Sequence, residues 1–365
     1  MNNYDANLLK YDRKTDDIIH GIEWPLNKYT QEYMNAIRQS VNAHTRYEYA
    51  LNIRQFIDYV KKSTTGSIVD LITLNKLESQ DFDAYFLYME HYIDEDGIER
   101  INHEAALKRK LTALRGFFMY LYEKGYIKNN EIQKVKMPKL HQKNIIYMEN
   151  NEACDFLNAV KSGTGKSKRS QLFHEKQKTR DLAIMHLILS TGIRISECVN
   201  LNINDIDLNT ASIRITRKGG NQDIVYCSDE ALSYLTDYMQ ERTGNKKVSS
   251  SEPALFLSSR NTRISIRMIQ KLVSDYAQVA VPLKHITPHK LRSTYGTNLY
   301  QQTGDIYAVA EALGHKDVNT TKDHYAHLSD TRKKENRNKV LYSKGGKIND
   351  FSEQYQYRYG HKEIL

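Results

Sequence analysis

Cysteine is scarce. The three present, Cys154, Cys198 and Cys227, are an odd number with no Cys-x-x-Cys pair, which excludes a disulfide scaffold or a thiolate zinc site as the organising device and fits a reducing compartment. Proline is scarce too, with five in 365 residues, so the composition is not that of a collagenous or low-complexity chain. No stretch approaches 18 consecutive apolar residues, and the opening MNNYDANLLKYDRKTDD has no apolar signal core. Neither a membrane span nor a secretory leader is expected, and the expected location is cytoplasmic and nucleoid-associated. Thirteen histidines are present without an HExxH motif, so no metal site is called.

What is present suits packed cores: 40% hydrophobic and 27% charged residues, over a length that fits two domains better than one. Lysine and arginine exceed aspartate and glutamate by nine, which makes a polyanion, most often nucleic acid, the first partner to consider.

Residues 1–28 read as a polar, unpatterned tail. Residues 29–133 read as an all-helical domain. Ala50, Ile53, Ile57 and Val60 recur at three- and four-residue steps, as do Leu107, Leu111, Leu114, Phe118 and Leu121, with Gly125 as a stop. Lys108, Arg109, Lys110 and Arg115 are expected on its outer faces, and no strand is expected between residues 30 and 130. Residues 134–143 form a basic, aperiodic linker containing Pro138. The block 144–345 is mixed. It has a helix near 150–161, a polar loop from Lys161 to Lys178, and a buried helix over Leu182–Leu189. A hairpin then turns at Lys218-Gly219-Gly220-Asn221, and helices follow near 229–242 and 265–279. Another helix opens at Thr287-Pro288, with two more near 305–313 and 319–335. Residues 346–365 form a tail whose aromatics Phe351, Tyr355, Tyr357 and Tyr359 make it a candidate for packing in trans on a neighbouring copy. The fold class is therefore mainly α with a small β-sheet.

Two local signals fall short. Ser162-Gly163-Thr164-Gly165-Lys166-Ser167 glances at a phosphate-binding loop, but Val160 stands where the first glycine belongs and no strand precedes it. The stretch 305–328, with Asp305 as cap and Gly314 at the turn, has the outline of a DNA-reading helix-turn-helix. It supports a rival reading, a basic transcriptional regulator.

Four stretches change the balance when taken together: Thr191-Gly192-Ile193-Arg194-Ile195-Ser196-Glu197, Arg217-Lys218-Gly219-Gly220, Thr287-Pro288-His289-Lys290-Leu291-Arg292, and Leu313-Gly314-His315 with Tyr325 ten residues on. In this order and spacing the chain resembles the tyrosine recombinases, the phage-integrase family that includes the Xer enzymes. The likeness covers about 145 to 340. Residues 30–130 resemble the family's SAM-like core-binding domain more loosely. Lys178-Thr179-Arg180-Asp181-Leu182-Ala183-Ile184 and the arginine stretches are similar to single-protein Xer enzymes of low-GC Gram-positive bacteria. Ser293 stands where the family often has His, and Arg217 where many members have Gly.

The resemblance implies a C-shaped clamp on double-stranded DNA with an inverted-repeat core site, and a tetramer on two such sites. Strand exchange would run through a Holliday junction, with no metal, nucleotide cofactor or small-molecule substrate. It implies Tyr325 as nucleophile, forming a 3′-phosphotyrosyl link, and Arg194, Arg292 and His315 as donors to the phosphoryl oxygens. Lys218 would be the acid for the 5′-oxygen, and His289 would move a proton or hold the phosphate. Glu197, three residues after Arg194, would orient the arginines or His289. A catalytically inactive DNA-binding accessory is a further alternative.

Overall fold

The computed structural model describes residues 3–64, 68–94, 96–139, 145–163, 168–217, 220–249, 251–315, 317, 318 and 321. The chain divides into two compact units, Met1–Lys143 and Asn144–Leu365. No described helix is long and apolar enough to cross a membrane.

The first unit contains α1 (Asn3–His20), α2 (Leu26–Ala36), α3 (Ala43–Ser63), α4 (Leu71–Lys76), α5 (Ser79–Glu90) and α6 (Glu104–Glu123). The Asn42 side chain caps α3 by accepting the Thr45 amide at 2.9 Å. The stripes on α3 and α6 face each other. Ala50, Ile53, Ile57 and Val60 are buried, as are Leu107, Leu111, Leu114, Phe118 and Leu121. Between them Phe56 stacks on Phe82 at 5.4 Å, and Phe118 meets Phe82 edge-on at 5.1 Å.

Three expectations need correction in this unit. The described part of the expected tail 1–28 is not a tail: α1 packs on α3, with Thr15, Ile19, Ile22 and Leu26 buried and Asp12 paired with the buried Arg46. The stripe Tyr11, Thr15, Ile19, Ile22, Leu26 is helical in spacing, but only three of its five members are aliphatic, so hydrophobicity alone does not reveal it. A hairpin also interrupts the helices. Strands β1 (His91–Ile93) and β2 (Glu99–Ile101) pair antiparallel, and the turn is held by Asp94, whose carboxylate accepts the Ile98 amide at 2.8 Å and Arg100 Nε at 2.8 Å. Such short, exposed strands carry no alternation to read; the turn chemistry was the available signal.

Third, Lys110 does not lie on an outer face. It is buried between α6 and α3, with its ammonium donating to Asn52 Oδ1 at 3.2 Å and Gln55 Oε1 at 2.5 Å. Arg115 is half-buried and donates to the carbonyl of Gln133 at 3.3 Å and to that of Val135, holding down the chain beyond α6.

The second unit is built around α9 (Lys178–Thr191), whose residues 180–188 are all buried. Packed on it are α7 (Asn150–Ser162), α10 (Ile195–Asn200), α11 (Asp229–Gly244) and α13 (Pro288–Thr303); α12 (Ile266–Ala280) lies against α7. A three-stranded antiparallel sheet runs β3 (Ile206–Asp207), β4 (Ser212–Thr216), β5 (Gln222–Tyr226), with Ile213 opposite Val225. The expected hairpin is present, and the two-residue β3 adds an edge that was too short to read. The chain continues through α14 (Ile306–Ala312), where Asp305 caps by accepting the Tyr307 and Ala308 amides. Of the helix expected near 319–335 only Thr321 is among the described residues, and the tail lies outside them.

The expected loop from Lys161 to Lys178 contains a helix, α8 (Lys168–Glu175). Its sequence is too polar to show a stripe. The buried His174 anchors it, with Nδ1 at 3.1 Å from the Tyr276 hydroxyl.

Burial pushes the Lys110 pKa down to about 8, with nearby Glu48 opposing and Arg109 adding to the shift. The folded value lies below the unfolded one of about 10.4. Between those two values the unfolded chain therefore holds the proton more firmly, and stability rises with pH across the window. Lys110→Met should remove this rise, on the order of 2–3 kcal/mol, from urea midpoints of the full chain at pH 7.5 and 10. Parallel pH profiles for variant and parent would refute it.

Candidate active site

Helix α9 stops at Gly192, which adopts φ +63° and returns its amide to the Ile188 carbonyl at 2.9 Å. A Cβ there would meet Tyr295 Cδ1 at 2.4 Å, so the position needs glycine twice over, for its backbone angle and for the close approach. The turn delivers Arg194 in extended backbone immediately before α10. Glu197, in the first turn of α10 and 4% exposed, accepts the Arg194 amide on Oε2 at 2.8 Å and Arg194 Nη1 on Oε1 at 2.9 Å. A carboxylate at a helix N-terminus is favoured by the unpaired amides there.

A second guanidinium shares that carboxylate. Arg217, the first residue after β4, donates Nη1 to Glu197 Oε2 at 3.4 Å and Nε to Asp223 Oδ2 at 3.0 Å. Its guanidinium lies over Gly314, where a Cβ would stand 2.7 Å from Arg217 Cζ. Gly314, at φ +58°, closes α14, with its amide on Glu311 O at 2.8 Å and the His315 amide on Ala310 O at 2.9 Å. His315 Nδ1 lies 2.7 Å from the hydroxyl of the buried Thr321.

Arg292 ties these turns together. It sits on the second turn of α13, 6% exposed, and donates Nη1 to Gly192 O at 2.5 Å and Nη2 to Leu313 O. Those carbonyls terminate α9 and α14, so the cation meets the negative ends of two helices at once. Burial raises the phenol pKa of neighbouring Tyr295, and the Arg292 charge opposes that rise. His289 lies one turn earlier on α13, exposed. Its carbonyl accepts the Ser293 hydroxyl at 3.1 Å.

The structure thus pairs Arg194 with Glu197, and Arg292 joins the turns that precede Arg194 and His315, with His289 on an exposed turn of α13. Lys218 and Tyr325 lie outside the described residues. Glu197 contacts both Arg194 and Arg217. The residue that sequence reading undervalued is Arg217, and its signal was the arginine standing in the glycine position before Lys218. A half-buried arginine backed by a buried carboxylate and standing next to a helix-terminal turn can receive an anion and stabilise charge on it. Among the described residues no cluster could hold a metal ion.

The profile described as "Phage integrase family" matches residues 146–332. Tyrosine recombinase XerS of Streptococcus agalactiae serotype III (strain NEM316) is 31% identical over 348 residues, covering 88% of this chain and 96% of that protein. XerS of Lactococcus lactis subsp. cremoris (strain MG1363) is 30% identical over 329 residues, covering 83% and 92%. In fold the chain is similar to the XerH site-specific recombinase solved with a palindromic difH substrate in a post-cleavage complex. That likeness has TM-score 0.65 and 19% identity, covering 90% of this chain and 94% of that one.

A lysine at position 292 can reach one carbonyl but cannot span two as a guanidinium fork does. Arg292→Lys should therefore lose about 2–3 kcal/mol of stability, since a buried acceptor is left unpaired. Urea unfolding of the full chain measures this, and a loss below about 0.5 kcal/mol would show that the bridge carries little.

Proposed function

The chain belongs to the phage integrase family, as a Xer-like tyrosine recombinase, and from that premise we propose that it cuts and rejoins DNA strands at a specific site through a covalent link to Tyr325. The observation that carries this reading is the double bridge made by Arg292. It brings the turn bearing Arg194 and the turn bearing His315 to one place, although they are more than 100 residues apart in sequence.

In this mechanism the Tyr325 phenol oxygen attacks the scissile phosphorus while its proton passes to His289. The bond from phosphorus to the 5′-oxygen breaks, and Lys218 gives that oxygen its proton. The products are a 3′-phosphotyrosyl link and a free 5′-hydroxyl. The phosphodiester is exchanged rather than hydrolysed, so rejoining needs neither ATP nor metal. Arg194, Arg292 and His315 donate to the non-bridging oxygens, where negative charge accumulates in the transition state. Glu197 keeps Arg194 in its rotamer from behind, and Arg292 does the same for the two turns. Basic side chains on both units supply sequence-independent phosphate contacts, with salt-sensitive binding as the consequence. The partner is double-stranded DNA with an inverted-repeat core. Four copies on two such sites would exchange strands pairwise through a Holliday junction.

The test uses nicked suicide duplexes made from fragments that the protein itself selects from its genomic flanks. Wild type should give an SDS-stable protein–DNA adduct, and Tyr325→Phe should bind the same duplex and give none. Arg194→Ala should slow adduct formation by about 10²–10³ with binding largely kept. An adduct surviving in Tyr325→Phe would move the nucleophile elsewhere. A wild type that bound but never formed an adduct would favour a regulator.

A further inference from the structure

The strands of the β4–β5 hairpin that carries Lys218 are seated in the core by the buried Ile213, Ile215 and Val225. Of the described residues from 216 to 224, all but Arg217 are exposed, whereas the Arg217 side chain is only 10% exposed. Backbone bonds close the turn on itself, from Arg217 N–H to Asn221 O at 2.7 Å and from Gly220 N–H to Arg217 O at 3.1 Å. The Arg217 guanidinium ties this end of the hairpin to the rest of the unit. One arm reaches the buried Glu197 at 3.4 Å, another reaches Asp223 on the returning strand at 3.0 Å, and its plane rests on the Gly314 backbone. It therefore touches the carboxylate behind Arg194, both legs of the hairpin, and the turn that precedes His315.

We propose that Arg217 is a positioning residue: by bridging Glu197 and Asp223 above Gly314, it fixes where the hairpin delivers Lys218 and so governs proton transfer to the leaving 5′-oxygen. This rests on the reading of Lys218 as the acid. A planar fork is suited to the task because it holds two carboxylates at set angles, which a flexible ammonium cannot. The Glu197 carboxylate, shared between two arginines, also couples the hairpin to Arg194, so both elements register on one buried group.

The experiment compares two suicide duplexes of the same sequence, one normal and one with sulfur in place of the bridging 5′-oxygen. A thiol ionises near about 8.5, so sulfur departs as thiolate without a proton donor. Bond-making is unchanged: the tyrosyl oxygen joins phosphorus and the phosphorus–sulfur bond breaks. Arg217→Ala should cleave the oxygen substrate about 10–100-fold more slowly and the sulfur substrate within about threefold of wild type. Arg217→Lys should fall between. Asp223→Asn removes one outer carboxylate, so it tests the idea even if Arg217→Ala folds poorly; it should show the same pattern at about 3–10-fold. Lys218→Ala calibrates the assay. If sulfur fails to rescue it, the acid assignment falls and this proposal with it. If sulfur rescues Lys218→Ala but not Arg217→Ala, or if Arg217→Ala cuts the oxygen substrate at the wild-type rate, Arg217 does not position the acid.

Discussion

The architecture of the site depends on one buried cation. Arg292 has been taken out of water, and its guanidinium is satisfied by main-chain carbonyls that end two different helices. A helix end leaves its last carbonyls without partners, and a buried guanidinium has donors it cannot leave unpaired. Each need is met by the other. The outcome is geometric: residues 192, 292 and 313 cannot separate without exposing a charge or orphaning an acceptor, so the side chains just beyond them, Arg194 and His315, are held at fixed places.

Glu197 plays the complementary part. It is a buried anion with guanidiniums at 2.9 and 3.4 Å and the Arg194 amide at 2.8 Å, so its charge is compensated locally. A lone buried carboxylate would be protonated or excluded. Two glycines make the arrangement sterically feasible, Gly192 against Tyr295 and Gly314 beneath Arg217. Charge compensation and close backbone approach thus act on the same few ångströms.

Much of the helical framework was legible because amphipathic spacing is a local property. The stripes on α3 and α6 and the apolar run of α9 needed no tertiary knowledge. Three of the misreadings share a cause. The N-terminal helix α1, the Lys110 network and α8 bury polar groups through partners distant in sequence: Arg46 for Asp12, Asn52 and Gln55 for Lys110, Tyr276 for His174. A polar residue read alone is assigned to solvent. It moves inside only when its partner is known to arrive there.

The order and spacing of the four chemistry-bearing stretches were enough to point to the family, because residue types at fixed offsets survive as a linear pattern. The mainly helical fold class followed from periodicity. What the tertiary structure alone decided is which carboxylate serves which cation. Glu197 is adjacent to Arg194 by sequence, yet its sharing with Arg217, twenty residues on, depends on where the β4–β5 hairpin lies. Likewise, nothing in the neighbourhood of Arg292 announces the carbonyls of Gly192 and Leu313 as its partners. The physical reason is range: periodicity and capping act within a few residues, whereas the pairing of buried charges is settled only when distant segments close the same pocket and water is gone.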